Sequence, residues 1–298
     1  MNKREKIVGE KTGVVSKVVI YIMLVILTIT IVIPVAWVFM ASVKQNSEFY
    51  GNPFALPQGF YLQNFVDAWT KARMGDYFFT SVMITAIALA ILLIVALPAS
   101  YVLSRYKFRG SKLLNTCFMA GLFINVSYIV VPIFLMFVSG DKIVKSIFGH
   151  SFFLNNPFMV SVVLASTTLP FTIYLLSSYL ATLPKDYEEA AYVDGAGYFT
   201  TMVRIILPMA KPSIITVILF NFLAFWNEYI IAMTLLTDPK GPKTLPVGLM
   251  NLMKAQNAKA EYGQMYAGMV MVMIPTLILY MCVQKKLTQG MTLGGLKG

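Results

Sequence analysis

Long apolar stretches alternate along the chain with short polar ones. Apolar runs of about 18 or more residues read as membrane-crossing helices, because roughly 20 residues span the hydrocarbon core. Six runs fit: residues 18–40, 78–103, 113–138, 157–180, 213–236 and 263–283. Five contain no Asp, Glu, Lys or Arg, and the fifth contains one, Glu228. In lipid every backbone polar group needs a partner within its own segment, so such runs form helices. The alternation expected of a β-barrel is absent, and the pattern predicts an all-α membrane protein with six spans. Pro34, Pro98, Pro132, Pro170 and Pro275 fall inside spans. Neighbouring helices can satisfy the carbonyls they free, so each reads as a packing irregularity or a gating hinge.

Between the fourth and fifth spans lies a polar insert, LPKDYEEAAYVDGAGYFTTMVRIILPMAKP, residues 183–212. Pro184 suits the first position of a helix, where its missing N–H costs nothing. Asp186, Glu188 and Glu189 then fall in the first turns, where the helix dipole favours negative charge. Gly195 and Gly197 end that helix. A second amphipathic helix carries Phe199, Val203 and Ile206, Leu207-Pro208 breaks it, and Pro212 opens the fifth span. The insert therefore predicts a helix–turn–helix at the membrane face. Ala190, Ala191 and Gly195 would give its first helix a flat, small-residue face. A connector resting on the bilayer and a docking element for a soluble partner both fit. A bare amphipathic anchor prefers Lys and Arg on its polar face, and the acidity here favours a protein partner.

Composition narrows the class. The chain is 58% hydrophobic and 12% charged, against about 25% charged in soluble domains. Net charge is +11, but the basic residues sit in short patches between apolar runs, which excludes a nucleic-acid surface and points to membrane orientation. The N-terminal tail (1–17), the tight connection SRYKFRGSK, the insert and the C-terminal tail (284–298) together hold 15 of the 24 basic residues. Both termini and the insert are thus expected in the cytoplasm. The segment 41–77 is expected to form a compact surface structure on the other side, and TDPKGPKTLPVG reads as turn-rich.

Enzyme chemistry finds no support. There is no phosphate-binding G-x-x-x-x-G-K-[ST] loop. Cys117 and Cys282 lie in apolar runs, unsuited to a disulfide framework or a metal site. His150 stands alone in a loop, and Glu228 stands alone in the membrane, unlike the acid–base chains of proton pumps. Neither a catalytic residue nor a metal ligand is expected. Trp37 and Tyr101, at span ends, read as interface anchors. Asn221, Trp226, Asn227 and Glu228 in the fifth span offer planar polar groups beside aromatic faces, as a sugar path would. Asn125 and Ser127 are weaker candidates. Structural hydrogen bonding between helices is the other reading of all of them.

The insert carries a family resemblance. EEAAYVDGAGYFTTMVRIILP resembles the EAA signature of ABC importer permeases, with Glu189, Ala190, Ala191, Gly195, Ile205, Leu207 and Pro208 at its spaced positions. WNEY, GMTLGGLKG and FYLQNFVDAW are similar to the carbohydrate branch, in particular to the smaller membrane subunit of maltose-type systems. The segment GDKIVKSIFGHSFFLNNP departs from that branch. The resemblance implies a type I importer permease in a bacterial or archaeal cytoplasmic membrane, paired with a second, related permease as a heterodimer. It implies two ATPase subunits that use ATP and Mg2+, no cofactor on this chain, and an external sugar-binding protein. Glu188, Glu189, Ala190, Ala191, Asp194 and Gly195 would sit at the ATPase joint, with the GGLKG tail also within reach. An importer for another solute, or a secondary transporter acting alone, are the rival readings.

Overall fold

The structure is a computed structural model and describes residues 14–259 and 261–294. Lys3, Arg4, Lys6 and Lys11 of the basic tail, and all but the first residue of GGLKG, lie outside the described residues. Among the described residues, five helices are long and apolar enough to cross a membrane, or six if one bent pair counts as a span. In chain order the elements are α1 (Val14–Ser42), α2 (Ser47–Gly51), α3 (Gln63–Thr70), α4 (Met74–Arg105) and α5 (Ser111–Gly121). Next come α6 (Val126–Phe148), α7 (Pro157–Thr182), α8 (Asp186–Val193), α9 (Tyr198–Thr201), a π-helical turn (Met202–Ile206) and α10 (Leu207–Met209). Then follow α11 (Lys211–Trp226), α12 (Ile230–Leu235), α13 (Leu245–Lys259) and α14 (Tyr262–Gly294).

The core is the seam between α4 and α7, the most extensive helix pair. Ile84, Ala88, Leu92 and Ala96 repeat every fourth residue and so share one face of α4. They bury against a core that includes Val160, Leu164, Ile173 and Leu176 of α7 and Val217 and Phe225 of α11. The alanines let two backbones approach closely, which is how helices associate where lipid removes the hydrophobic drive. Hydroxyls add polar links: Ser161 donates to the Ile84 carbonyl at 3.2 Å, and Ser177 to that of Ser100 at 3.4 Å. By contrast, the apolar stretch of α1 that could cross a membrane buries none of its residues, and the main partner of α1 is α14.

Two apolar runs differ from the single helices expected. The run 113–138 is divided into α5 and α6, with a break over 122–125, and α6 continues ten residues further to Phe148. At the break α5 comes close to α7: a Cβ on Gly121 would lie 2.8 Å from Pro170 Cγ. Asn125 then caps α6, its Oδ1 accepting the Ser127 N–H at 2.9 Å, a task Asn performs well. The run 213–236 is divided likewise, at 227–229. Alone, the 16 residues of α11 reach about 24 Å at 1.5 Å per residue, short of the core thickness of about 30 Å.

The segment 41–77 is compact, as expected. The Asn64 side chain donates to the Ser42 and Lys44 carbonyls at 2.9 and 2.8 Å. Fully buried Lys44 donates to the Pro53 carbonyl at 2.7 Å, with its ammonium 4.6 Å from the Trp37 ring centroid. Glu48 accepts the N–H groups of Gln45 and Gln58, which hold its carboxyl below the usual value. The segment 140–157 is ordered by one carboxylate: Asp141 accepts N–H bonds from Phe152, Phe153 and Leu154 at 2.7–3.0 Å. Helix α13, packed on α4 and α14, was not legible as a helix in its turn-rich surroundings.

Candidate coupling site and polar residues of the spans

The insert begins with α8, eight residues long, with Asp186, Glu188 and Glu189 in its first turn. Pro184 stands before the helix instead of opening it, because Lys185 takes the capping position. The far end closes on Gly195. Its N–H bonds the Tyr192 carbonyl at 3.0 Å, and the Ala196 N–H bonds the Ala191 carbonyl at 2.8 Å. This paired reversal needs a left-handed residue, and Gly195 has φ +79. A Cβ there would meet nothing within 4 Å. Backbone conformation, not crowding, therefore demands glycine. Gly197, with φ −73, instead stands at the start of α9.

The second half of the insert departs from the expected broken helix. It continues through the π-helical turn past Pro208 to Met209. A π turn shifts the hydrogen-bond pattern by one residue, a local adjustment that can accommodate a proline lacking an N–H. The sharp bend, 77°, comes at Ala210, between α10 and α11. Of the expected apolar face only Ile206 is buried, with Met202, while Phe199 and Val203 are exposed.

The two faces of α8 differ. Glu189, Ala190, Asp194 and Gly195 are exposed, as is Val193 at 88%. Glu188 and Ala191, one turn apart, turn inward and are buried. This corrects the expected flat face, from which Ala191 is missing. Glu188 faces Arg105 at the end of α4, with Nε 3.3 Å from Oε1 and side-chain exposures of 2% and 9% for Arg105 and Glu188. Arg105 Nη1 also donates to the Leu183 carbonyl at 2.8 Å. Beside the pair runs a tyrosine relay: Tyr101 and Tyr106 hydroxyls are 3.0 Å apart, and those of Tyr106 and Tyr192 are 2.8 Å apart. The rings of Tyr106 and Tyr198 stack at 4.5 Å. Burial, reinforced by these hydrogen bonds, pushes the Tyr106 hydroxyl pKa upward, so it stays protonated. Tyr101 is fully buried here and is not an interface anchor. Ile205 and Leu207 pack partly buried on the same cluster, and Pro208 is exposed.

Sequence reasoning missed Arg105 and the tyrosines. Arg105 looked like one more basic loop residue, and nothing local ties it to Glu188, far along the chain. The one available signal was an arginine on the last turn of a span rather than in the loop beyond it.

The polar residues of the spans are dispersed. Asn125 is exposed at the α6 cap. Asn221 is buried, donating to Thr172 Oγ1 at 3.0 Å and the Val217 carbonyl at 2.8 Å, and it borders a crevice of about 220 Å³ between α5, α7 and α11. Trp226 is buried between helices, its indole N–H on the Val272 carbonyl at 3.1 Å and its ring stacked on Phe222. Asn227 is exposed, folded back on Leu223. Glu228 caps α12: its two oxygens accept the N–H groups of Ile231 and Ala232 at 2.6 and 3.0 Å. Asn221 and Trp226 thus hold the bundle together, and Asn227 and Glu228 share the break between α11 and α12.

Residues 55–293 match the family described as binding-protein-dependent transport system inner membrane components. The diacetylchitobiose uptake system permease protein NgcG of Streptomyces coelicolor is 31% identical over 91% of this chain and 86% of its own. The trehalose/maltose transport system permease protein MalG of Thermococcus litoralis is 28% identical over 96% and 98%. Among solved structures, a bacterial ABC transporter that imports the acidic polysaccharide alginate has a chain with a TM-score of 0.75 at 22% identity, covering 93% of this chain and 98% of that one. At that identity the likeness shows the fold.

Proposed function

Because the chain belongs to the family of binding-protein-dependent transport system inner membrane components, we propose that it is a permease subunit of an ATP-driven oligosaccharide importer. On this reading it forms half of the translocation path in a heterodimer with a second permease. ATP and Mg2+ are used by two ATPase subunits, this chain binds no cofactor, and an external binding protein delivers the sugar. The insert and both termini face the cytoplasm, in accord with the basic residues of the insert end. The sugar class follows from the relatives, which include permeases for diacetylchitobiose and for trehalose or maltose.

The observation that carries the reading is the open face of α8. Glu189, Ala190, Val193, Asp194 and Gly195 stand exposed on a helix whose inner face is anchored and whose end is locked by a glycine turn. An exposed valine beside acidic groups suits a protein cleft better than an anionic lipid surface. Driving a two-state transporter from 1:99 to 99:1 requires about 5.5 kcal/mol of differential binding, and a rigid docking element delivers such a bias without dissipating it. Asn227 and Glu228, beside a helix break, are the residues of the fifth span best placed to meet a sugar; Asn125 borders the break between α5 and α6, and Asn221 the crevice beside it.

The test is reconstitution. The chain, its partner permease and the ATPases are placed in vesicles, and sugar uptake is measured with and without the binding protein. Uptake should require all components and ATP, and Val193→Asp should reduce ATPase co-purification at least fivefold. Uptake by the chain alone, or driven by an ion gradient, would refute the reading.

A further inference from the structure

The Arg105–Glu188 contact has features that a plain structural clamp does not need. Both side chains are enclosed, yet the contact is a charge pair without a formed hydrogen bond: Arg105 Nε and Nη2 and Glu188 Oε1 are buried and lack hydrogen-bond partners among the described residues. Buried polar atoms are normally satisfied. The guanidinium is fixed at one corner only, by Nη1 on the Leu183 carbonyl. Its remaining edge faces the carboxylate with donors to spare, and a planar guanidinium can pair a carboxylate through two parallel bonds.

The location matters as much as the chemistry. Helix α8 packs on α9 and the π turn, and its polar ties to the spans run from Glu188 to Arg105 and Tyr101 of α4 and from Tyr192 to Tyr106. Along the chain, α8 reaches the next span only indirectly, through α9, the π turn and the 77° bend at Ala210. That route is long and bent. Arg105, by contrast, sits on the last turn of α4, a continuous helix of 32 residues and one half of the α4–α7 seam.

We infer that Arg105 is a positioning residue that carries the displacement of α8 to α4 through Glu188. The pair acts as a sliding link. As α8 shifts, the carboxylate passes from the single contact seen here to a two-point grip on Nε and Nη2, so the charges stay paired while the geometry changes. The polar path through α4 works alongside the covalent path through α11, and the two together move both sides of the bundle. This inference rests on the reading of α8 as the ATPase-docking helix.

The test uses the complete complex in vesicles. Replacing a buried ion pair by apolar side chains commonly preserves folding, whereas removing one partner does not. The double change Arg105→Met with Glu188→Leu therefore isolates the link. The variant complex is expected to keep its ATPase subunits on purification, while sugar taken up per ATP hydrolysed falls about tenfold. Uptake per ATP equal to wild type would overturn the proposal. Loss of the ATPase subunits would also overturn it, by making the pair a scaffold for docking. Should the double variant fail to reach the membrane, Glu188→Asp, which keeps both charges but withdraws the carboxylate by one methylene, is measured with the same expected and overturning results. A wild-type complex that shows no ATP-driven uptake would instead refute the importer reading itself.

Discussion

Gly195 and Glu188 show two ways in which one residue can matter at α8. Gly195 has open space around it and a left-handed backbone. A branched residue would fit in volume but not in conformation, at a cost on the order of 1–2 kcal/mol. Gly195→Val should therefore loosen the turn and weaken ATPase co-purification, while the unfolding temperature of the detergent-purified chain stays nearly unchanged. Glu188 is the opposite case. Glu188→Ala leaves the Arg105 guanidinium enclosed without a counter-charge, which costs about 3–5 kcal/mol; a clear drop in thermal stability is expected, and an unchanged midpoint would mean that water reaches the site. The glycine was legible from the sequence, because helix termination is a local property. The role of Glu188 was not. Its acidity fits the helix dipole equally well whichever way the side chain points, and only the fold brings the end of α4 to it.

Helix breaks were the least visible elements. Hydropathy reports whether a segment belongs in lipid, not whether its helix is continuous, so the runs 113–138 and 213–236 each looked whole. Asn125 and Glu228 were noticed for their polarity, and the structure gives both a capping task at a break. Signals existed in Gly121 four residues before Asn125 and in the Asn227-Glu228 pair, but a polar residue in a span fits a path as well as a cap. The capping role is measurable at Glu228. Glu228→Gln keeps the shape but replaces one acceptor oxygen by an amino group, so one of its two N–H bonds is lost. Amide exchange at Ile231 or Ala232 should quicken, with a stability loss of about 1–3 kcal/mol. Protection equal to wild type at both amides would show that the cap is dispensable. The spans α1, α4 and α7, in contrast, begin and end within four residues of their expected positions, because twenty apolar residues leave few alternatives, while α14 starts as expected and runs on to Gly294.

For the molecule as a whole, the region after the first long helix meets the start of the last one. Gly263, at the start of α14, is in such close contact with α3 and the loop after α1 that a Cβ would lie 2.5 Å from Asn64 Nδ2 and 2.8 Å from the Lys44 carbonyl oxygen. The Tyr262 N–H also bonds Asn46 Oδ1 at 2.9 Å, and Phe49 stacks on Tyr266. Gly263→Ala should pry this junction open, seen as faster proteolysis between 42 and 62; unchanged cleavage would show that the loop closes without α14. The same junction sets a timetable. Helix α1 leans chiefly on α14, which is made roughly 220 residues later, an interval of about 10–45 s at ribosomal speeds of 5–20 residues per second. Helix α1 is thus made long before the helix it leans on, and it spends the wait exposed to lipid or to whatever insertion machinery shelters it.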